Sequence, residues 1–108
     1  MRIEQELIDD LLLNNTIDNL DYVSEWVGDK VKSVKTFAVT IDNKLYQGEI
    51  VREFTHQEGK KDSDGKEITK GKTTVKYSHE TDSGVEVYEV KKVYVRKRGQ
   101  LTVEYRRV

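Results

Sequence analysis

The sequence predicts an α+β protein in which an N-terminal helical hairpin precedes a five-stranded antiparallel meander that closes into a small barrel. Hydrophobic residues recur with a helical period as far as Gly28 and alternate with polar residues after it. The 108 residues include no proline, so every strand can donate its backbone N–H groups to a sheet. We expect one domain over residues 1–108, with the hairpin at 1–28 and the β region at 31–108.

Two amphipathic segments predict the helical hairpin. Apolar residues at helical spacing indicate a first helix over residues 3–13, which Asn14 and Asn15 end. Thr16 is a suitable N-cap for a second helix, and Gly28 is a suitable C-cap. The apolar positions of this second helix are Ile17, Leu20, Val23 and Val27.

Alternating patterns predict five strands after the hairpin. They lie near residues 37–41, 46–54, 73–77, 85–98 and 101–105, and Asp42-Asn43-Lys44 forms the first turn. The fourth strand exceeds the usual length, which predicts a bend or bulge near Lys91 and Lys92. Residues 57–72 are polar and predict a long hairpin tip or a mobile loop.

The composition indicates a thin core. Only 35% of the residues are hydrophobic and 36% are charged, so a neighbouring copy or a partner can complete the buried surface. The net charge of −1 hides a gradient, because residues 1–29 carry −7 and the remaining residues carry +6. An acidic head and a basic tail can pair within the chain, between copies or with a partner.

Several functional classes find no support in the sequence. Cysteine is absent, and the spacing of His56 and His79 relative to Glu58 and Glu80 matches no metal-ligand signature. No residues at suitable spacing form an acid–base pair, so we expect neither an enzyme nor a cofactor or metal. The acidic first residues do not resemble a signal peptide, and no run is apolar enough to span a membrane. We expect a cytoplasmic protein.

Aromatic and apolar residues of the hairpin form a candidate protein-binding site. Leu13, Tyr22 and Trp26 exceed what one helix face needs to cover a small sheet. Tyrosine and tryptophan are frequent anchors of protein interfaces. The alternative is that all three residues belong to the core.

A basic stripe on the fourth strand forms a second candidate site. Lys92, Tyr94, Arg96 and Arg98 share one strand face, with Gly99 following them. Such a face suits single-stranded nucleic acid, since arginine binds phosphate and tyrosine stacks on bases. The alternative is an exposed strand that its basic residues keep soluble.

The strand region resembles the Sm-like family of small barrels. The run Val39-Thr40-Ile41-Asp42-Asn43-Lys44-Leu45-Tyr46-Gln47-Gly48-Glu49-Ile50 is similar to the family's first motif, and Val93-Tyr94-Val95-Arg96-Lys97-Arg98-Gly99-Gln100-Leu101 is similar to its second. The resemblance implies a bent five-stranded barrel that forms rings and binds single-stranded RNA, with Arg98 and Gly99 at the Arg-Gly position. The chain departs from the family at Thr55, near the expected acidic residue, and in its second helix.

These observations lead to two main hypotheses and one further alternative. The first is a non-catalytic module that acts through protein–protein contacts, either a small adaptor or an inhibitor. Its source would be a phage or another mobile element, and its partner would be another protein or a second copy of the chain. The second is an Sm-like module that binds single-stranded RNA or other nucleic acid. The further alternative is a nucleotide-sequestering protein.

Overall fold

Nine strands and two short helices make up the computed structural model, which describes residues 1–108. The elements are β1 (Arg2–Ile3), α1 (Gln5–Asn14), β2 (Leu20–Val23), β3 (Val27–Gly28), β4 (Lys32–Ile41), β5 (Lys44–Gln57), β6 (Lys72–Tyr77), α2 (Ser78–Thr81), β7 (Val85–Glu86), β8 (Tyr88–Lys97) and β9 (Gln100–Arg107).

The main sheet is antiparallel and is built around the β4–β5 hairpin. Its strand order is β2-β4-β5-β8-β9, while β3 pairs with β4 and β6 pairs with β5. Strands β1 and β7 form a separate two-stranded sheet. The β4–β5 register runs from Lys32 opposite Glu53 to Ile41 opposite Lys44. Asp42 and Asn43 between them have φ values of 51° and 64°, which is the backbone that a two-residue hairpin turn requires.

The hydrophobic core lies between α1 and one face of the sheet. Ile8 and Leu11 of α1 are fully buried, and they belong to one cluster with Phe37 of β4 and Ile50 of β5. The other members of the cluster are Ile3, Val39, Val85 and Val87. The core therefore depends on residues from both ends of the sequence.

The molecule is strongly elongated. Its extents are 64 × 37 × 22 Å and its Cα radius of gyration is 19.0 Å. A compact domain of this length has a radius of about 13 Å. Only 15 of the 108 residues are buried, because two hairpins extend beyond the core. One is the β5–β6 hairpin. The other, here called the β8–β9 arm, spans residues 91–106, where β8 pairs only with β9.

The predicted helical hairpin is wrong. The first helix forms at Gln5–Asn14, but residues 20–23 and 27–28 are strands β2 and β3, both paired with β4. Asn19 has a φ of 62°, which interrupts any helix through this segment. Tyr22, Val23, Trp26 and Val27 are residue types that favour extended backbone, and the free edge of β4 offers them a partner.

The predicted closed barrel is also wrong. The strand order begins at β2 and ends at β9, and no backbone ladder joins these two strands. The chain is therefore an open, mostly β structure with a small helical layer. The β8–β9 arm extends beyond the sheet because β8 pairs with β5 only at residues 88–90, before the arm begins.

Several finer predictions are confirmed or corrected. The β4–β5 turn and the strands near 37–41, 46–54, 73–77 and 101–105 lie where the sequence predicts them. The long fourth strand is interrupted at Val87, between β7 and β8, and not at Lys91 and Lys92. Residues 57–72 form a hairpin tip in which Lys61 pairs with Glu67; their mobility stays a prediction. Both helices are too short to cross a membrane.

Candidate functional site

Side chains bring the two ends of the main sheet together. The Tyr22 ring of β2 stacks on the Tyr105 ring of β9, with centroids 5.6 Å apart and planes inclined by 28°. Asp21 accepts a hydrogen bond from the Tyr105 hydroxyl at 2.5 Å and another from Lys92 Nζ at 3.0 Å. The sheet therefore curls until its edges meet through side chains, although its backbone does not close.

A groove lies at this junction. It has a volume of about 510 Å³ and is here called the aromatic groove. Five strands contribute to it, and its lining residues are Asp21, Tyr22, Thr36, Gln47, Lys92, Tyr94, Val103 and Tyr105. It combines tyrosine rings with one acid and one lysine, so it offers contact area and hydrogen bonds to a second surface.

The electrostatics of the groove centre on Asp21. The hydrogen bond from Tyr105 lowers the pKa of Asp21, and Lys92 lowers it further, whereas burial acts in the opposite direction. Burial raises the pKa of Tyr105 well above its ordinary value, and the Asp21 carboxylate adds to that increase. At neutral pH the Asp21 side chain is therefore a carboxylate and the Tyr105 phenol is neutral.

The structure places residues from both predicted binding sites in the same groove. Tyr22 comes from the predicted protein-binding set, whereas Lys92 and Tyr94 come from the predicted nucleic-acid set. Lys92 is paired with Asp21, while Tyr94 is 64% exposed. The groove could not be found from the sequence, because it depends on β2 meeting β9 across 84 residues.

The other basic-stripe residues form the tip of the β8–β9 arm. Arg98 and Gly99 have φ values of 51° and 79° and make the two-residue turn between β8 and β9. Arg96 lies opposite Leu101 in the register, so their side chains share a face of the arm. The Arg-Gly pair therefore has a conformational explanation in this chain.

Trp26 and Leu13 lie apart from the aromatic groove. Trp26 is partly buried against the core, and the Arg52 guanidinium lies 4.1 Å from its ring centroid. Arg52 is held there because its Nε donates a hydrogen bond to Ser33 Oγ at 2.7 Å. Leu13, near the end of α1, is 82% exposed. The structure does not bring Leu13, Tyr22 and Trp26 into one surface, and their role in protein binding stays a prediction.

A buried histidine is the polar feature that the sequence did not reveal. His79 of α2 is fully buried, and a 2.7 Å hydrogen bond joins its Nε2 to Asp9 Oδ1 of α1. Asp9, His79 and Glu80 have ligand atoms within 4.8 Å of one another, a spacing that one divalent ion can bridge. Metal-bound imidazoles usually donate their second nitrogen to a partner, whereas His79 Nδ1 has none. The Asp9–His79 hydrogen bond therefore joins α1 to α2.

The comparison with protein families identifies the chain. A family model described as "FliC: Flagellin protein" matches residues 3–106. The chain belongs to this flagellin family. A search of curated proteins and a search of solved structures each found no match.

The flagellin match corrects the functional predictions. The family is structural and non-catalytic, and its subunits assemble into homo-oligomeric filaments. The Sm-like assignment is wrong, and so are the RNA-binding, nucleotide-sequestering, adaptor, inhibitor and phage interpretations that accompanied it. The expectation of a homo-oligomer agrees with the flagellin family.

The Sm-like pattern has a structural origin in this flagellin-family chain. Its first segment is the β4–β5 hairpin, and its glycine, Gly48, lies opposite Phe37. A Cβ at Gly48 would lie 2.8 Å from Val87 and 2.9 Å from Phe37. This chain and the first Sm-like motif thus share a tight turn followed by a small residue that packs against the core.

Proposed function

We propose that this chain is a non-catalytic structural part of a flagellin subunit and is built into a flagellar filament. The observation that carries the proposal is the family match, which extends over residues 3–106 and so covers nearly the whole chain. The proposal gives the chain other copies of itself as partners, in agreement with the assembly of flagellin subunits into filaments.

The shape of the chain supports a role in which neighbouring copies cover part of its surface. Only 15 residues are buried, while Leu13, Tyr94 and Leu101 are each at least 64% exposed. Exposed apolar side chains that lie close together often belong to contact surfaces. The aromatic groove and the β8–β9 arm concentrate several of them in one region.

Labelling of filaments tests the proposed function. Antibodies raised against the purified chain should decorate intact flagellar filaments of the source cells along their length, as seen by immunogold electron microscopy. Filaments sheared from the cells should contain the chain in immunoblots. Unlabelled filaments, with the chain confined to other cell fractions, would contradict the proposal.

The same labelling tests the location of the protein. The cytoplasmic location expected from the sequence stays a prediction, whereas a filament part acts outside the cell after synthesis. Labelling of intact cells supports the external location, and labelling that requires permeabilised cells supports the cytoplasmic one.

A further inference from the structure

We propose that the tip of the β8–β9 arm of one copy docks into an acidic groove beside α1 of a second copy. The partner of the arm is thus another copy of this chain. The inference rests on the proposed function, since it names the contact by which neighbouring copies in a filament recognise each other.

The receiving surface is acidic and partly apolar. A groove of about 420 Å³ lies between α1 and the segment that follows it, and Leu7, Asp10, Ile17 and Asp18 are among its lining residues. Leu7 is 43% exposed, although it is a large apolar residue. Asp10 and Asp18 form no ion pair within the chain.

The inserting surface has the opposite charge and is also partly apolar. Arg96 and Arg98 form no ion pair within the chain, and Leu101 beside them is 65% exposed. The tip is narrow, because Arg98 and Gly99 make the whole turn. The two guanidinium groups of the tip are thus opposite in charge to the two carboxylates of the groove, and the exposed leucine of the tip can pack on the exposed leucine of the groove.

The charge that remains after internal pairing favours a contact between copies. The acidic residues of the head and the basic residues of the tail form only one ion pair within the chain, between Asp21 and Lys92. The groove acids and the tip arginines are left unpaired. Because the tip and the groove are different surfaces, their contact is head-to-tail and can continue from copy to copy. That form of growth suits a filament.

Sedimentation velocity of the purified chain tests the contact directly. In about 50 mM salt, the weight-average mass should rise as the chain is concentrated from about 10 µM to about 1 mM, and in about 500 mM salt it should fall back towards the monomer. A chain that stays monomeric in low salt over this range would overturn the proposal.

Charge reversal on each surface identifies the residues. The tip variant Arg96→Glu/Arg98→Glu and the groove variant Asp10→Lys/Asp18→Lys should each weaken self-association at least about tenfold, because each places like charges opposite one another. An equimolar mixture of the two variants should associate again, since each variant then offers the charge that the other lacks. Association that persists in either variant, or a mixture that stays monomeric, would contradict the docking.

A matched control excludes a general effect of charge. Lys60→Glu/Lys70→Glu changes the net charge by the same amount as the tip variant does, but in the 57–72 hairpin tip and away from both surfaces, and should leave the association unchanged. Loss of association in this control would overturn the proposed site. Circular dichroism should show that all variants keep the wild-type fold.

The two proposals fail separately. Labelled filaments together with a monomeric wild-type chain would remove the arm–groove contact and keep the structural role. Unlabelled filaments together with association that is restored in the mixture would remove the role in the filament and keep the contact.

Discussion

Single residues decide how closely the two layers of this protein approach. Gly48 lies on β5 where Phe37, Val85 and Val87 meet, and a Cβ there would come within 2.9 Å of a side-chain carbon of each. Protein interiors have little free volume to accept an added methyl group. Gly48 is thus required for space and not for its backbone conformation, since its φ is not in the left-handed region.

Gly48→Ala should destabilise the fold by about 1–3 kcal/mol, because valine methyl groups and an aromatic ring must move to admit the new methyl. Urea unfolding followed by circular dichroism measures the change. Glu49→Ala, at the exposed neighbouring position, should stay within about 0.5 kcal/mol of the wild type. Equal stability of Gly48→Ala and the wild type would show that the core is looser than described.

The hydrogen bond between Asp9 and His79 should contribute to stability although Asp9 itself is exposed. Asp9→Ala leaves both ring nitrogens of the buried His79 without a partner, which should cost about 1–3 kcal/mol in the free energy of unfolding. Asp10→Ala removes the next carboxylate along α1, which has no partner, and should have little effect. Equal losses in the two variants would contradict the role assigned to Asp9.

The contacts of Asp21 should make stability depend on pH at both extremes. The folded pKa of Asp21 is lowered, so its contribution is present above its ordinary pKa and is lost as pH falls through the folded value. The folded pKa of Tyr105 is raised, so its contribution is present below its ordinary pKa and is lost as pH rises through the folded value.

Asp21→Asn should therefore lower Tm at pH 7, and the difference from the wild type should shrink as pH falls below about 4. Tyr105→Phe should also lower Tm at pH 7, with a difference that narrows above about pH 10. Thermal melts at several pH values measure both differences. A wild-type advantage over Asp21→Asn that stays constant down to pH 2 would contradict the assigned pairing.

Secondary-structure elements show which parts of the fold the sequence determines locally. The alternation of apolar and polar residues predicts the strands from residue 37 onward, because one face of each strand packs on the core or on a neighbouring element. The segment 16–28 was predicted wrongly, because Ile17, Leu20, Val23 and Val27 fit a helical period as well as they fit two short strands. Pairing with β4 decides between them, and that partner lies 16 residues further along the chain, as in the pair Tyr22–Ala38.

The candidate site was less predictable than the strands. The sequence predicts Tyr22, Lys92 and Tyr94 only as candidate binding residues of two separate sites, and their assembly in one groove depends on the curl of the sheet. The burial of His79 depends on the position of α1 over α2, which no local pattern contains.

The connection between β3, β4 and β5 can be tested through Trp26, the single tryptophan of the chain. Arg52→Gln removes the nearer of the two cations over the Trp26 ring, leaving Lys35 at 5.5 Å, and should lower stability by about 1–2 kcal/mol. It should also shift the tryptophan fluorescence maximum. Lys76→Gln on β6 provides a control at an exposed position, where neither quantity should change. An unaltered spectrum in Arg52→Gln would show that Arg52 does not lie over the ring.

The whole molecule is long because its core is small and its hairpins continue past it. Small-angle X-ray scattering of the monomer, recorded in high salt, should give a radius of gyration near 19.0 Å. A value near 13 Å, as expected for a compact domain of this length, would mean that the arms fold back on the core. The charge-reversed tip variant should scatter like the wild-type monomer.

The pairing of β1 with β7 has a consequence for how the chain is made. Arg2 pairs with Glu86, and α1 shares its cluster with Val85 and Val87. When synthesis has reached residue 80, α1 is already made, whereas Val85 and Val87 of its core cluster have not yet been added. The core around Ile8 and Leu11 therefore cannot be completed until residues 85–87 have emerged from the ribosome, and until then part of its apolar surface is accessible to chaperones.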